Sequence, residues 1–356
     1  MFDTLNQYGT STLGGPLWAV VWNLVKIVAV LLPLLLCVAY LTLWERKAIG
    51  WSQIRPGPNR VGPFGLLQPL ADGIKFLFKE EVTPPHVYRP VYLLAPILIL
   101  VPALLTISVV PFGPALRLFG RDVPLRVADV DNGVLIILAF ASMGVYGIAL
   151  AGWSSNNKYS LMGGLRSSAQ LISYELAMGL AIVGILMSAG SLRLSDVVAR
   201  QAEHGWNVLW QLPGFVVFLT AAFAETNRLP FDLPEAETEL VAGYHTEYSG
   251  MRFSMFYMAE YANMVTASCL AATLYLGGYH VPGLQRLGLP QNAAVIVQLL
   301  AFGIKVAFFL FVYVWVRWTI PRFRYDQLMN LGWKVLLPVA LVHIVWVAFI
   351  VLMGWA

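Results

Sequence analysis

Seven carboxylates fall between positions 225 and 260 of an otherwise strongly apolar chain: Glu225, Asp232, Glu235, Glu237, Glu239, Glu247 and Glu260. Six of them fall in AETNRLPFDLPEAETELVAGYHTEYSG, which lies between two apolar runs, and Glu260 falls in the second of those runs. An acid costs about 2.5–3.5 kcal/mol at the centre of a membrane helix, so such a gathering points to protons, cations or a docked partner. Glu235 and Glu239 are four residues apart and share a face if PEAETEL is helical, with Pro234 suited to open the helix. Like charges so placed repel, which raises at least one proton affinity and lets the pair share protons. A solvated acidic loop has the same composition. Leu229, Phe231 and Leu233 argue against it, because they interleave with Arg228 and Asp232 between prolines.

Three charges lie inside apolar sequence, Glu260 and two others. Glu175, in SYELAMGL, is about two turns into its run, and an intramembrane carboxylate is a functional candidate by default. The plainer alternative pairs it with Arg166 at the interface. Glu260 sits at a similar depth in another run, so two acids from one side can form a path inward. Lys305 is flanked by apolar residues on both sides and calls for a carboxylate or a water-filled cavity. The basic stretch with Arg46, Lys47, Arg55 and Arg60 reads either as a topology signal or as a rigid Pro/Gly-fixed surface lining a cavity or interface.

The elements that must position these groups are membrane helices. The chain is 58 % hydrophobic and 12 % charged, with a mean hydropathy of +0.70, far from the composition of soluble domains. Eight apolar runs are long enough to span the hydrocarbon, near 17–43, 91–113, 132–152, 168–190, 206–224, 252–276, 294–316 and 334–355. The expectation is an all-α polytopic membrane protein, one integral membrane domain over 1–356. No Lys or Arg precedes Lys26, so the first run is expected to remain as a transmembrane helix rather than a cleaved signal.

Loops after the odd-numbered runs hold fifteen Lys and Arg residues against six on the other side, which places the first set in the cytoplasm and both termini in the periplasm. The acidic loop, 225–251, is then cytoplasmic. So is the loop 45–90, which divides in two. RPGPNRVGPFG predicts irregular backbone with fixed turns. LLQPLADGIKFLFKEE predicts an amphipathic surface helix whose stripe is Leu66, Leu67, Leu70, Ile74, Leu77 and Phe78.

Redox ligands are sparse. Cys37 and Cys269 are too few for an iron–sulfur cluster, and of five histidines only His343 falls well within an apolar run. No strand–GxGxxG–helix unit binds a dinucleotide. No cofactor is expected in this chain, and any electron transfer must use groups held by another protein.

Four blocks carry a resemblance: WERKAIGWSQIRPGPNRVGPFGLLQPLADGIK, GWSSNNKYSLMGGLRSSAQLISYE, the acidic segment above, and PRFRYDQLMNLGWK. In order and spacing they resemble the quinone-chamber membrane subunit family of bacterial NADH:quinone oxidoreductase, respiratory complex I, from about Leu43 to Lys334. The resemblance implies a non-redox membrane subunit of the bacterial inner membrane that joins membrane and peripheral arms and forms a quinone-access chamber. Its partners would be peripheral iron–sulfur and quinone-site subunits and membrane-arm subunits, with FMN and the clusters held there and quinone as substrate. Carried over position by position, the chamber would use Arg46, Arg55, Asp72, Arg228, Tyr257 and Met258. The proton path would use Glu175, Glu225, Asp232, Glu235, Glu237, Glu247 and Glu260, with a nearby arginine favouring the charged form of Asp232. One departure is His245, where mitochondrial members usually have Asn, and no role is carried over for it. A stand-alone proton or cation transporter, a passive anchor for a peripheral arm, and the equivalent subunit of a membrane-bound hydrogenase-type complex are the competing readings.

Overall fold

The computed structural model describes residues 15–118, 121–234, 237–284 and 288–354. Helices form at all eight apolar runs. α1 (Gly15–Ser52) has 38 residues, about 57 Å at 1.5 Å per residue. That is nearly twice the hydrocarbon thickness, so α1 carries Glu45, Arg46 and Lys47 on its continuation beyond the apolar stretch. The RPGPNR segment then folds back on it. A Cβ on Gly57 would lie 2.8 Å from Lys47 Cα, and Gly65, at φ +77°, would bring one within 2.2 Å of the Pro58 carbonyl. Only glycine fits either place.

The amphipathic helix is α2 (Gln68–Phe78). All six residues of its expected stripe are exposed, facing away from the rest of the chain. Its other side, with Pro69, Asp72, Gly73 and Phe76, faces α1 and the later α9 (Gly250–Tyr275).

α3 (Arg89–Thr106) leads to a short antiparallel hairpin, β1 (Leu116–Leu118) with β2 (Arg121–Val123). Next come α4 (Gly133–Ser154), α5 (Lys158–Ala189), α6 (Leu194–His204) and α7 (Leu212–Glu225). The Asn157 side chain caps α5 by accepting from the Tyr159 N–H at 3.0 Å, and Gly190 ends the helix in the left-handed conformation. A one-turn α8 (Glu237–Leu240) precedes α9; α10 (Gln291–Thr319) and α11 (Tyr325–Asn330) follow. A π turn (Leu331–Leu336) joins α11 to α12 (Leu337–Leu352).

Among the described residues, six helices are long and apolar enough to cross a membrane. The other two expected spans differ for physical reasons. α7 has only 14 residues. α9 has 26 but carries Arg252, Glu260 and Asn263. It tolerates them because protein surrounds it: every residue from Met264 to Tyr275 except Ala267 is buried. α9 packs against α3, α10, α1 and α7, while α5 packs against α4, α7 and α12. The charged groups of the sequence meet where these two sets adjoin.

Candidate functional site

Two cavities lie on either side of α9. The larger, of about 550 Å³, is bounded by α1, α2, α9 and α10 and falls in the size range of small-molecule pockets. Leu35, Val38 and Ala39 of α1 give it an apolar end, and Glu45, Arg46, Asp72, Tyr261 and Arg317 give it a charged one. Phe76, Tyr257, Met258 and Trp318 lie along it. Arg46 and Asp72 are ion-paired at 2.7 Å, and Gln68 donates to the second Asp72 oxygen at 3.1 Å. Helical phase explains the lining: Leu35, Val38, Ala39, Thr42, Glu45, Arg46 and Ile49 recur at three- and four-residue steps along one face of α1.

The smaller cavity has about 40 Å³ of room, enough for roughly two or three waters. Glu175 of α5, Glu225 at the end of α7 and Glu260 of α9 all line it, with Asn227, Tyr244 and Asn263. Ser142 of α4 donates to Glu175. Three acids far apart in sequence therefore share one small space with room for water.

A buried ion cluster joins the two cavities. Arg228 is 3 % exposed, with its Nε 2.7 Å from Glu260 and its Nη1 3.4 Å from Glu45. Glu45 also accepts from Arg317, and from the Tyr261 hydroxyl at 2.5 Å. The guanidinium lies 4.1 Å from the centre of the Tyr261 ring, a cation–π contact. Burial alone would lower the proton affinity of Arg228. The carboxylate of Glu260, the Tyr261 ring and hydroxyl and the carboxylate of Glu45 outweigh it and hold the arginine firmly charged. One guanidinium is thus shared between an acid of the large cavity and an acid of the small one.

Glu45 escaped the sequence pattern. It sits in WERK, where Arg46 and Lys47 are its neighbours in sequence and the group reads as a local basic end of a helix. Its real partners are 183, 216 and 272 positions away. The usable signal was that an acid at that depth of α1 has no partner at helical spacing.

Other residues singled out in the sequence are placed differently. Asp232 pairs with Arg322 of the α10–α11 connection at 2.9 Å. Arg166 pairs with Glu239 at 2.7 Å and leaves Glu175 to the interior. Glu247 lies outside both cavities, accepting from Asn157 Nδ2 at 2.7 Å with His86 at 3.9 Å. Arg55 is exposed and donates to Gln53 at 2.7 Å, away from the lining of the large cavity. Glu235 lies outside the described residues; Glu237 opens α8, and its side chain is outside them too. His245 is buried among the rings of Tyr244, Phe253 and Tyr257.

Lys305 corrects an expectation. Among the described residues its ammonium meets no carboxylate and donates instead to the carbonyls of Leu276, Gly278 and His280 at 2.7, 2.8 and 2.9 Å. The Trp206 ring covers it at 5.1 Å. These carbonyls follow the last turn of α9, where a cation is favoured by orphaned C=O groups and the helix dipole. Replacing Lys305 by Met removes three hydrogen bonds, and each buried orphan acceptor costs about 1–3 kcal/mol. The expected outcome is a lower melting temperature of the purified assembly with an unchanged proton-to-electron ratio. Normal stability with lost pumping would instead return Lys305 to the proton path.

Comparison with known proteins gives consistent similarities. A family model described as NADH dehydrogenase matches residues 25–348. The H 2 subunit of NADH-quinone oxidoreductase from Koribacter versatilis is 53 % identical over 346 residues, covering 92 % of this chain and 96 % of that protein. The H subunit of the same enzyme from Methylibium petroleiphilum is 47 % identical over 369 residues, covering 100 % and 99 %. Its counterpart from Leptospira biflexa is 53 % identical over 334 residues, covering 90 % and 92 %.

Proposed function

The chain belongs to the NADH dehydrogenase family, as a membrane subunit of NADH-quinone oxidoreductase, and from that premise we propose that its large cavity is a quinone-access chamber whose charge state is passed to the acids of the small cavity through Arg228. The observation that carries this reading is the shared guanidinium, 2.7 Å from Glu260 and 3.4 Å from Glu45.

The chamber's shape suits a quinone: an apolar end on α1 for the isoprenoid chain and polar groups at the other end for the ring. Electrons come from cofactors of partner subunits. Reduction of a quinone takes up two electrons and two protons to give a neutral quinol, so the charge next to Glu45, Arg46, Asp72 and Arg317 changes when groups of the chamber give up those protons. Arg228 carries one positive charge for two acids. When Glu45 draws on it more strongly, Glu260 loses counter-charge, and its proton affinity rises in a low-dielectric site. Glu260 then takes a proton through the waters it shares with Glu175 and Glu225. The reverse shift returns it. Arg46, Asp72, Tyr257 and Met258 act in the chamber, and Arg228, Glu260, Glu225 and Glu175 in the path. Asp232, held by Arg322, anchors the loop that carries Arg228. We place the subunit in the bacterial inner membrane, with both termini periplasmic and the acidic loop facing the cytoplasmic peripheral arm.

A photoreactive quinone analogue applied to the assembled complex tests the chamber. Labelling is expected on α1 between Leu35 and Ile49, on Phe76 of α2, and on Tyr257 or Met258 of α9. Label confined to other subunits or to the lipid-facing side of α10 would reject the chamber and leave an anchoring role.

A further inference from the structure

His343 of α12 is 2 % exposed, and neither ring nitrogen has a hydrogen-bond partner among the described residues. The ring occupies a slot that two helices vacate. A Cβ on Gly184 of α5 would lie 2.6 Å from His343 Cε1, and one on Gly214 of α7 would lie 2.5 Å away. Gln211, fully buried just before α7, borders the slot. Its Oε1 is also unpartnered, and its Nε2 reaches only the Ser188 hydroxyl, at 3.4 Å. His343 Nδ1 and Gln211 Oε1 lie 3.1 and 3.4 Å from the same point on Gly184, so they face one small shared space.

Each buried orphan polar atom costs about 1–3 kcal/mol, and three of them gathered at one place require a common explanation. A small polar partner supplies it. Water makes two to four hydrogen bonds to buried groups of this kind. Imidazole adds a property that a glutamine or serine lacks, since it accepts a proton on one nitrogen and releases one from the other.

The position gives the slot its meaning. α12 packs on α5 and α7, the helices that bear Glu175 and Glu225. From Glu175 to Gly184 is about 13 Å along α5, and from Glu225 back to Gly214 about 16 Å along α7, in the direction away from the acidic loop. Other titratable groups of α5 are engaged or remote. Tyr174 donates to the Leu328 carbonyl, Arg166 pairs with Glu239, and Lys158 and Tyr159 are at the opposite end of α5. Tyr275 of α9 packs its ring on Phe215 and Phe218 of α7, and its buried hydroxyl has no hydrogen-bond partner among the described residues.

We propose that His343, Gln211 and Ser188 hold an ordered water and form a proton-exchange station between the Glu175–Glu225 cavity and the far membrane face; the proposal rests on the proton-carrying role of those acids. A proton taken up on one imidazole nitrogen is balanced by release from the other, and the ring returns to its neutral form.

The test uses the assembled complex in sealed vesicles. His343→Phe fills the slot with an apolar ring, and His343→Gln keeps hydrogen bonding without a transferable proton. Both are expected to slow proton release to the far face on the order of 10²-fold, the low end for a lost acid–base group. Quinone reduction measured with a protonophore should be unchanged. Pumping at the native rate in both variants, with Glu175→Gln impaired, overturns the station and leaves the acid path standing. Native pumping in Glu175→Gln as well overturns the path itself. A high-resolution map of the unsubstituted complex gives an answer that needs no variant: solvent density bridging His343 and Gln211 is expected, and a dry slot refutes the proposal.

Discussion

Replacing Arg228 by methionine in the assembled complex is expected to uncouple quinone reduction from proton translocation and to destabilise the subunit by about 3–5 kcal/mol. The magnitude follows from what is left behind. Met preserves much of the side-chain volume but removes the guanidinium 2.7 Å from Glu260, which is also one of two that neutralise Glu45. Glu45 keeps Arg317 and the Tyr261 hydroxyl. Glu260 is left to become protonated, since a buried carboxylate that loses its counter-charge favours its neutral form. Proton-to-electron ratios should fall while assembly, followed by co-purification of the other subunits, persists. Arg228→Lys keeps the charge but has no planar fork to serve both acids, so an intermediate ratio is expected. A methionine variant that pumps with the native ratio would remove Arg228 from the coupling.

The second large effect is expected at the small cavity. Glu225→Gln and Glu175→Gln each remove one protonatable group from the roughly 40 Å³ space that also contains Glu260. Amide and acid have nearly the same volume, so the packing of Ile99, Ile148 and Leu171 around the cavity is preserved. What is lost is proton exchange, worth on the order of 10²-fold or more when a positioned acid–base group is deleted. Pumping in proteoliposomes should drop accordingly in each variant, and the double variant should add little, because the two acids serve one step. Additive losses would instead assign them to separate routes.

The membrane class, the amphipathic α2 and the inward placement of Glu175 and Glu260 were legible in the sequence because each depends on local pattern. Hydropathy and helical spacing suffice for them. Pairing was less legible. Arg228 and Asp232 are four residues apart in sequence, yet Asp232 turns to Arg322 and Arg228 to Glu45 and Glu260. Long-range packing decides which charge meets which. Lys305 shows the same limit: an intramembrane cation called for an acid, and the fold answered with the carbonyls at the end of α9. Glu45 was hidden for the opposite reason, since near neighbours in sequence supplied an apparent partner that the helix points elsewhere.

The most direct measurement is an infrared difference spectrum of the carboxylic C=O stretch on quinone reduction in the assembled complex, taken for the native subunit and for Glu260→Gln and Glu45→Gln. The expected result is a protonation band in the native protein that disappears in Glu260→Gln and is lost or shifted in Glu45→Gln, because Arg228 links the two acids. A band unchanged in Glu45→Gln, or none that depends on Glu260, would contradict the coupling of chamber to acids through Arg228.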